Sequence, residues 1–408
     1  MIRTPAREQP VQEVQDRRIG GAGQKNPPCK SVRHRRRGGA ILSSYLNLDA
    51  LNQDPVREEI HMNRKHRWPL TAAVVGTSIA LALTGCSKSG GGSSSSTGGS
   101  SAGSGSKIKV AFVPKLQGIP YFEAMNAGGK KAAQDLGITW IYQGPTTADP
   151  AAQADIVRSL IQQKVDVLIV APNDPNSLAP MMKQAQDAGI KVLTSDTDAP
   201  NSVREAFVSQ ATAQGIGGYT VDTLANAMGK KGKMAIVSCG ETAENLNSWI
   251  KVEKATVAQK YPNIKMLDTV YAGEDQAKAT QMATDLMNAN PDLNGIIGQC
   301  TSSAPGVAQA VRNAGKIGKV FTVGVGTPKS MVPYLTDGSS SGSILWDVQN
   351  LGYLTAWAGM QMKENKPFQA TNDVSSLIKG VKWDSKTKEL LLGPPLVLTK
   401  ANVNKYNY

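Results

Sequence analysis

The chain of 408 residues carries 45 Lys/Arg against 32 Asp/Glu, and its length suggests two or three domains. Residues 1–86 hold 14 Lys/Arg and 7 Asp/Glu, about half of the net charge of +13, and the rest shows no basic face with interleaved aromatics, which argues against nucleic acid as a partner. All three histidines (His34, His61, His66) precede residue 86, so His-based triads and His metal sites are excluded from the remainder.

Residues 1–61 read poorly as a domain. A cluster at Arg33-His34-Arg35-Arg36-Arg37 sits among Gly, Gln and Pro, without apolar periodicity. Met62 is the expected start. Directly after it come a basic segment, Asn63-Arg64-Lys65-His66-Arg67, and a mostly apolar run from Leu70 to Leu83. Basic, apolar and small-residue regions in that order make a secretory signal, and the apolar run is shorter than the ~18 residues of a spanning helix. Its ending, Leu83-Thr84-Gly85-Cys86, resembles the lipobox of bacterial lipoproteins, which implies cleavage before Cys86 and a lipid anchor on it. Residues 87–106 contain ten Ser and seven Gly, a flexible linker that reaches ~25 Å as a random coil.

From Lys107 strands and helices alternate. Lys107–Pro114 is β-branched and apolar, suited to a buried strand. Tyr121–Leu136 has helical spacing and stops at Gly137, a C-cap signal. Thr139–Tyr142 is a second strand, Pro150–Gln163 a helix, Val167–Ala171 a third strand, Leu178–Ala188 a helix, and Lys191–Ser195 a fourth strand. The rhythm restarts with strand Lys233–Ser238, helix Glu244–Lys260 and strand Ile264–Tyr271. It continues with helix Gln276–Asn288, strand Gly295–Gly298, helix Pro305–Ala314 and strand Val320–Val325. Ser343–Val348 and Leu351–Lys363 add one more strand and helix. This predicts an α/β chain of two tandem, doubly wound parallel-sheet lobes joined by a hinge, with a cleft between them.

Ligands of open α/β sheets bind beyond the carboxyl ends of the strands. That rule selects Lys115, Tyr121, Phe122, Asn173, Asp174, Asp196 and Asp198 in the first half. In the second half it selects Cys239-Gly240, Gln299-Cys300-Thr301 and Gly326-Thr327, with Asn245, Asn247 and Trp249 at the start of the following helix, and the pair Trp346-Asp347. Carboxylates accept from sugar hydroxyls, Lys and Asn donate to them, and aromatic rings cover C–H faces. Asp196 and Asp198 also suit turn caps, Lys115 a solvated loop position, and Tyr121 and Phe122 the core. The first strand-to-helix turn has a single glycine, Gly118, so a dinucleotide fingerprint is missing; a phosphate loop, a nucleophile elbow and metal-spaced ligands are missing too. No enzyme, cofactor or metal is expected.

Several runs carry a resemblance. They are Val113-Pro114-Lys115-Leu116, Tyr142-Gln143-Gly144-Pro145-Thr146, Leu193-Thr194-Ser195-Asp196-Thr197-Asp198, Asn247-Ser248-Trp249 and Leu345-Trp346-Asp347-Val348. From Lys107 to Tyr408 the chain resembles the type I periplasmic binding proteins of ABC transporters, in the branch that binds autoinducer-2 and rhamnose. The resemblance implies a ligand lined by Lys115, Tyr121, Phe122, Asp196 and Trp346-Asp347. It also implies three crossings between lobes, near Gln210, Val348 and Asn372. Lobe 1 is then 107–210 plus about 349–372, and lobe 2 is 211–348 plus about 373–408. Autoinducer-2 binders have an Asp-Gln pair where this chain has Asn245-Leu246, and Pro-x-Ala where it has Gln299-Cys300-Thr301. A rhamnose-like, deoxy or pentose sugar is therefore expected ahead of autoinducer-2. The family strand order also makes Cys239 and Cys300 neighbours, within reach of a disulfide, although adjacent parallel strands are a strained place for one; bonded and free cysteines both stay open.

The resemblance implies hinge closure over the ligand and delivery to an ABC permease at the membrane, outside the cytoplasm. A sugar-responsive repressor would need a helix-turn-helix where this chain has its signal and linker. Presentation of the ligand to a sensor stays open, and a lyase or isomerase is opposed by the missing His and motifs.

Overall fold

A computed structural model describes residues 106–408. The expected leader with its start at Met62, the expected anchor site Cys86 and nearly all of the Ser/Gly linker lie outside the described residues. The first lobe opens with β1 (Lys109–Val113), α1 (Pro120–Leu136), β2 (Thr139–Tyr142) and α2 (Pro150–Gln162), then β3 (Val167–Val170), α3 (Pro175–Asp187), β4 (Lys191–Ser195) and β5 (Ala206–Ser209). The chain then crosses over and builds α4 (Ala213–Ala227), β6 (Gly232–Ser238), α5 (Glu244–Lys260), β7 (Ile264–Met266), β8 (Val270–Tyr271) and α6 (Gln276–Ala289). The same lobe continues with β9 (Leu293–Gly298), α7 (Ser303–Asn313), β10 (Phe321–Gly324), α8 (Pro328–Asp337) and β11 (Gly342–Leu345). It returns through α9 (Val348–Lys363), β12 (Thr371–Asn372), β13 (Val381–Asp384) and β14 (Glu389–Leu391), and β15 (Leu396–Leu398) crosses a last time.

The first sheet runs β12-β13-β14-β5-β4-β3-β1-β2, and the second β15-β11-β10-β9-β6-β7 with β8 beside β6. Each is a parallel core with antiparallel additions: β12 and β13 at one edge of the first, β15 at one edge of the second. Helices cover both faces, α1 with α9 and α2 with α3 in one lobe, α4 with α5 and α6 with α7 in the other. Strands buried on both faces read as continuous apolar runs; Val167, Leu168, Ile169 and Val170 are all fully buried, each contributing roughly 2 kcal/mol of apolar burial.

The third crossing differs from expectation. It falls at 392–395, between β14 and β15, not near Asn372, and 373–391 belongs to the first lobe's sheet. The physical reason is a parallel pairing of β14 on β5, with Leu390 opposite Val208, which buries Leu390 completely. Two helices are also longer or newer than the sequence suggests. α8 forms despite Pro333 within it, and α4 spans the Gly-rich stretch after Gln210. Gly217 of α4 fits because a methyl there would lie 2.9 Å from the Trp249 carbonyl; α4 and α5 touch backbone to side chain at that point. The same logic joins α1 and α9, where a methyl on Gly128 would collide with the Gln349 carbonyl and one on Gly352 with that of Met125. This contact fixes α1, with its aromatic first turn, against the helix that follows Trp346.

Candidate functional site

The carboxyl ends of both sheets face one cleft, and the three crossings lie along it. Lys115 opens the loop after β1, two residues past Val113, and is almost fully buried, 4% exposed. Nζ donates to Asn245 Oδ1 across the lobes at 2.9 Å and lies 3.7 Å from Asp196 Oδ2. Asp196 Oδ1 accepts from the Tyr121 hydroxyl at 2.7 Å, and Oδ2 accepts from the Thr197 hydroxyl at 3.0 Å. The Trp346 indole in turn donates to Tyr121 Oη at 3.2 Å. Burial, then the Asp196 charge, push the Tyr121 phenol well above its ordinary value, so it stays a donor at every physiological pH. A buried ammonium and a buried carboxylate survive together because each has a charged partner and further hydrogen bonds.

Asp196 has a backbone cost as well. Its φ is +67°, a region that non-glycine residues avoid at roughly 1 kcal/mol or more. The position is held by Asp196 N–H donating to the Val208 carbonyl at 3.2 Å and by a bridge between Ser195 and Thr197. The turn aims the carboxylate at the cleft, where an unstrained continuation of β4 would not.

Three further rings complete the wall. Tyr121 meets Phe122 edge-on with centroids 5.0 Å apart, and Trp346 meets both Tyr121 and Trp249 at 5.8 Å. Lys115, Tyr121, Phe122, Asp196, Asn245, Thr301 and Trp346 all line one cavity of about 30 Å³. That is room for one or two waters. A ligand the size of a sugar fits only when the lobes part and these side chains exchange partners.

Several expected residues lie elsewhere: Asn173 donates to the Lys115 carbonyl at 2.8 Å, Asp174 caps α3, and Asp198 pairs with Arg204. Gln299 points into the second lobe, where its amide donates to Glu253 at 2.9 Å. Asp347 caps α9, accepting from the Asn350 N–H at 2.9 Å, because the crossing places it at the helix start with an extended backbone. Trp249 and Cys300, both beside strand ends or helix starts that the sequence marks, line the cavity, and so does Glu274, which is not among the expected residues. Glu274 stands three residues after β8 and accepts from the Ser302 hydroxyl at 3.1 Å. Burial chiefly, and Asp196 in part, raise its carboxyl, against the lowering effect of Lys115. Glu274 thus lies past the carboxyl end of the strand read over Ile264–Tyr271, on the edge to which the strand-end rule points.

Cys239 and Cys300, whose pairing the sequence leaves open, form a disulfide with Cα atoms 6.2 Å apart. β6 and β9 pair with Val237 opposite Gly298, so the two cysteines fall opposite each other just past both strand ends, free of the pleat. Their sulfurs and a Glu274 oxygen lie within 4.8 Å of one another, but sulfurs bonded to each other offer no thiolate to a metal.

These features define a two-lobed binding protein, with the site between lobes. A sequence model of the periplasmic binding protein domain matches residues 110–367, and the chain belongs to that family, in its type I sugar and autoinducer-2 branch. It is 27% identical over 244 residues to the D-ribose/D-allose-binding protein of Pseudomonas aeruginosa, covering 57% of this chain and 75% of the relative. A sugar ABC transporter structure from Actinomyces odontolyticus is 30% identical with a TM-score of 0.60, covering 74% of this chain and all of that one. LsrB from Clostridium saccharobutylicum, in complex with AI-2, is 25% identical with a TM-score of 0.69, covering 73% and 99%. Members of this family are binding proteins of transporters, not enzymes.

Proposed function

We propose that this protein captures a small sugar of the rhamnose, deoxy or pentose kind in its cleft and delivers it to an ABC permease. The observation that carries this reading is the bonded set Lys115, Asp196, Asn245 and Tyr121 beside the Trp346 ring. It offers a cation, a carboxylate, an amide and a phenol at hydroxyl spacing, next to a face for C–H groups. Sugar oxygens take the place of Asn245 on Lys115, and sugar hydroxyls donate to Asp196. The ligand then bridges the lobes where side chains bridge them directly, and hinge closure seals it from water. The curated relatives bind ribose, allose and xylitol, which supports a polyhydroxylated ligand.

A second reading is supported by the likeness to LsrB with AI-2. Asn245 and Leu246 weigh against it, since the second wall lacks the Asp-Gln pair of autoinducer-2 binders. Lipid on Cys86 is part of the same proposal, carried by the Leu83-Thr84-Gly85-Cys86 run; Cys86→Ser is expected to move the protein from the membrane fraction to the medium.

Calorimetric titration with L-rhamnose, D-ribose, related deoxy and pentose sugars, and autoinducer-2 with and without borate tests the reading. Saturable binding of one sugar, abolished by Asp196→Ala, is the expected result. Binding of autoinducer-2 alone would replace the sugar with a signal, and no binding at all would overturn both.

A further inference from the structure

The cleft does not end at Asp196. A second chamber of about 270 Å³ adjoins the first, sharing Asp196, Asn245 and Trp249 with it, and reaches the first crossing at Gln210. Its other walls include Asp198, Arg204, Glu244 and Glu389. Arg204 is already engaged: Nη2 donates to Asp198 Oδ2 at 2.7 Å and to the Thr387 carbonyl at 3.0 Å, and Nη1 donates to the Lys388 carbonyl at 3.2 Å.

The other charged groups of the lining are carboxylates, among the hydroxyls of Ser209, Thr212, Ser248 and Thr387. Glu244 and Glu389 form no ion pair among the described residues. Gln210 is 2% exposed, and its Oε1 accepts no hydrogen bond. A buried carbonyl left so costs about 1–3 kcal/mol, a cost that a ligand group can remove. Burial, with Asp198 as the next cause and Glu389 adding to it, raises the Glu244 carboxyl above its ordinary value despite Lys115. Once Asp198 has neutralised Arg204, two carboxylates from opposite lobes face a shared space with no cation of their own.

We propose that this chamber is a second compartment of the ligand site and takes an ammonium group, so that the preferred ligand is an aminated sugar or an amine-bearing glycoside. The inference rests on the sugar reading of the first compartment and extends it. A neutral hydroxyl would satisfy Gln210 but leave the two carboxylates facing each other across the cleft; an ammonium satisfies both, with three donors on one charge. Its ring lies against Asp196 and Trp346, its amine beside Gln210, Glu244 and Glu389.

Matched pairs of probes test this on the purified chain by calorimetry. Suitable pairs are L-rhamnose with 2-aminoethyl L-rhamnoside, D-ribose with 2-aminoethyl D-riboside, and D-galactose with D-galactosamine. At pH 7 at least one amine is expected to bind about tenfold or more tighter than its neutral partner, the scale of one charge-assisted contact. That preference is expected to collapse to about one in the double variant Glu244→Gln/Glu389→Gln, with folding checked by circular dichroism. An amine that binds where its neutral parent does not, with the preference lost in the double variant, supports this proposal and overturns the neutral-sugar reading. A neutral sugar that binds as well as every amine overturns this proposal alone. So does an amine preference that survives the double variant. No binding by any probe overturns both.

Discussion

The two walls of the cleft are built differently. The first-lobe wall is internally wired: Tyr121, Asp196 and Thr197 bond to one another, and Asp196 is held in a strained backbone conformation. The second-lobe wall carries single groups on separate elements, Asn245 at the start of α5, Glu274 after β8 and Thr301 after β9, and a disulfide ties the ends of β6 and β9 together. One wall is made rigid by a polar network, the other by a covalent bond behind it. Preorganised groups lose less on binding than groups that must be ordered, so on the proposed sugar reading the first wall sets affinity for a polyhydroxylated ligand and the second discriminates among such ligands.

The largest effect is expected from breaking the first wall. Asp196→Ala leaves Lys115 buried without its carboxylate, a loss of about 3 kcal/mol or more in stability, together with loss of ligand binding. Urea unfolding and calorimetry on the same variant read the two effects. If stability and binding both survive, the two walls are not different in kind. Removing the tie from the second wall comes next. The disulfide closes a loop with a sequence separation of 61, so Cys239→Ser/Cys300→Ser is expected to cost about 3 kcal/mol. It is expected to blunt discrimination between sugars more than affinity for any one of them.

A third test concerns the support under the second wall. Glu253 is completely buried beneath Gln299, and burial pushes its carboxyl from an ordinary 4.5 up to about 8. Between those values the unfolded chain has released this proton and the folded chain retains it. Stability from this group is therefore present below pH 4.5 and is lost progressively as pH rises toward 8, by a total on the order of a few kcal/mol. Melting curves of the wild type and Glu253→Gln from pH 4 to 9 are expected to diverge in that direction, the variant being flatter; parallel curves would refute the assignment. The smallest effect belongs to Asp347. Because it caps α9, Asp347→Ala is expected to cost about 1 kcal/mol and to leave ligand affinity within about twofold.

Much of this was legible in the sequence, and unevenly so. The first wall follows from strand ends that are easy to find: Val113 and Ser195 close apolar runs, so Lys115 and Asp196 stand out immediately after them. On the second wall the same rule places Asn245 and Thr301 correctly but misplaces Gln299, because a residue next to a strand end can turn inward, and Glu253 on α5 drew it there. Glu274 stands three residues beyond Tyr271, where the second-half strand read from the sequence ends, further from its strand end than Lys115 or Asp196 from theirs, so nearness to a strand end does not single it out. Asp347 shows that a carboxylate after a strand is equally a helix cap, and only the following backbone decides. The third crossing was obscured because β14 is three residues long and is recruited by pairing with β5, a long-range event that no local pattern announces. In the same way, an apolar count does not reveal α4, whose glycines are there to let α5 approach.

Trp346 bonds to a first-lobe phenol, and its ring meets the indole of Trp249 on the second lobe. Separating the lobes moves one of those neighbours relative to the other. An indole's emission responds to both a hydrogen-bond partner on its N–H and an adjacent ring, so the chain carries its own optical gauge of cleft opening. Ligand capture is thus readable in light from the unlabelled protein, and the six tryptophans of the sequence need only be reduced to this pair to give a clean signal.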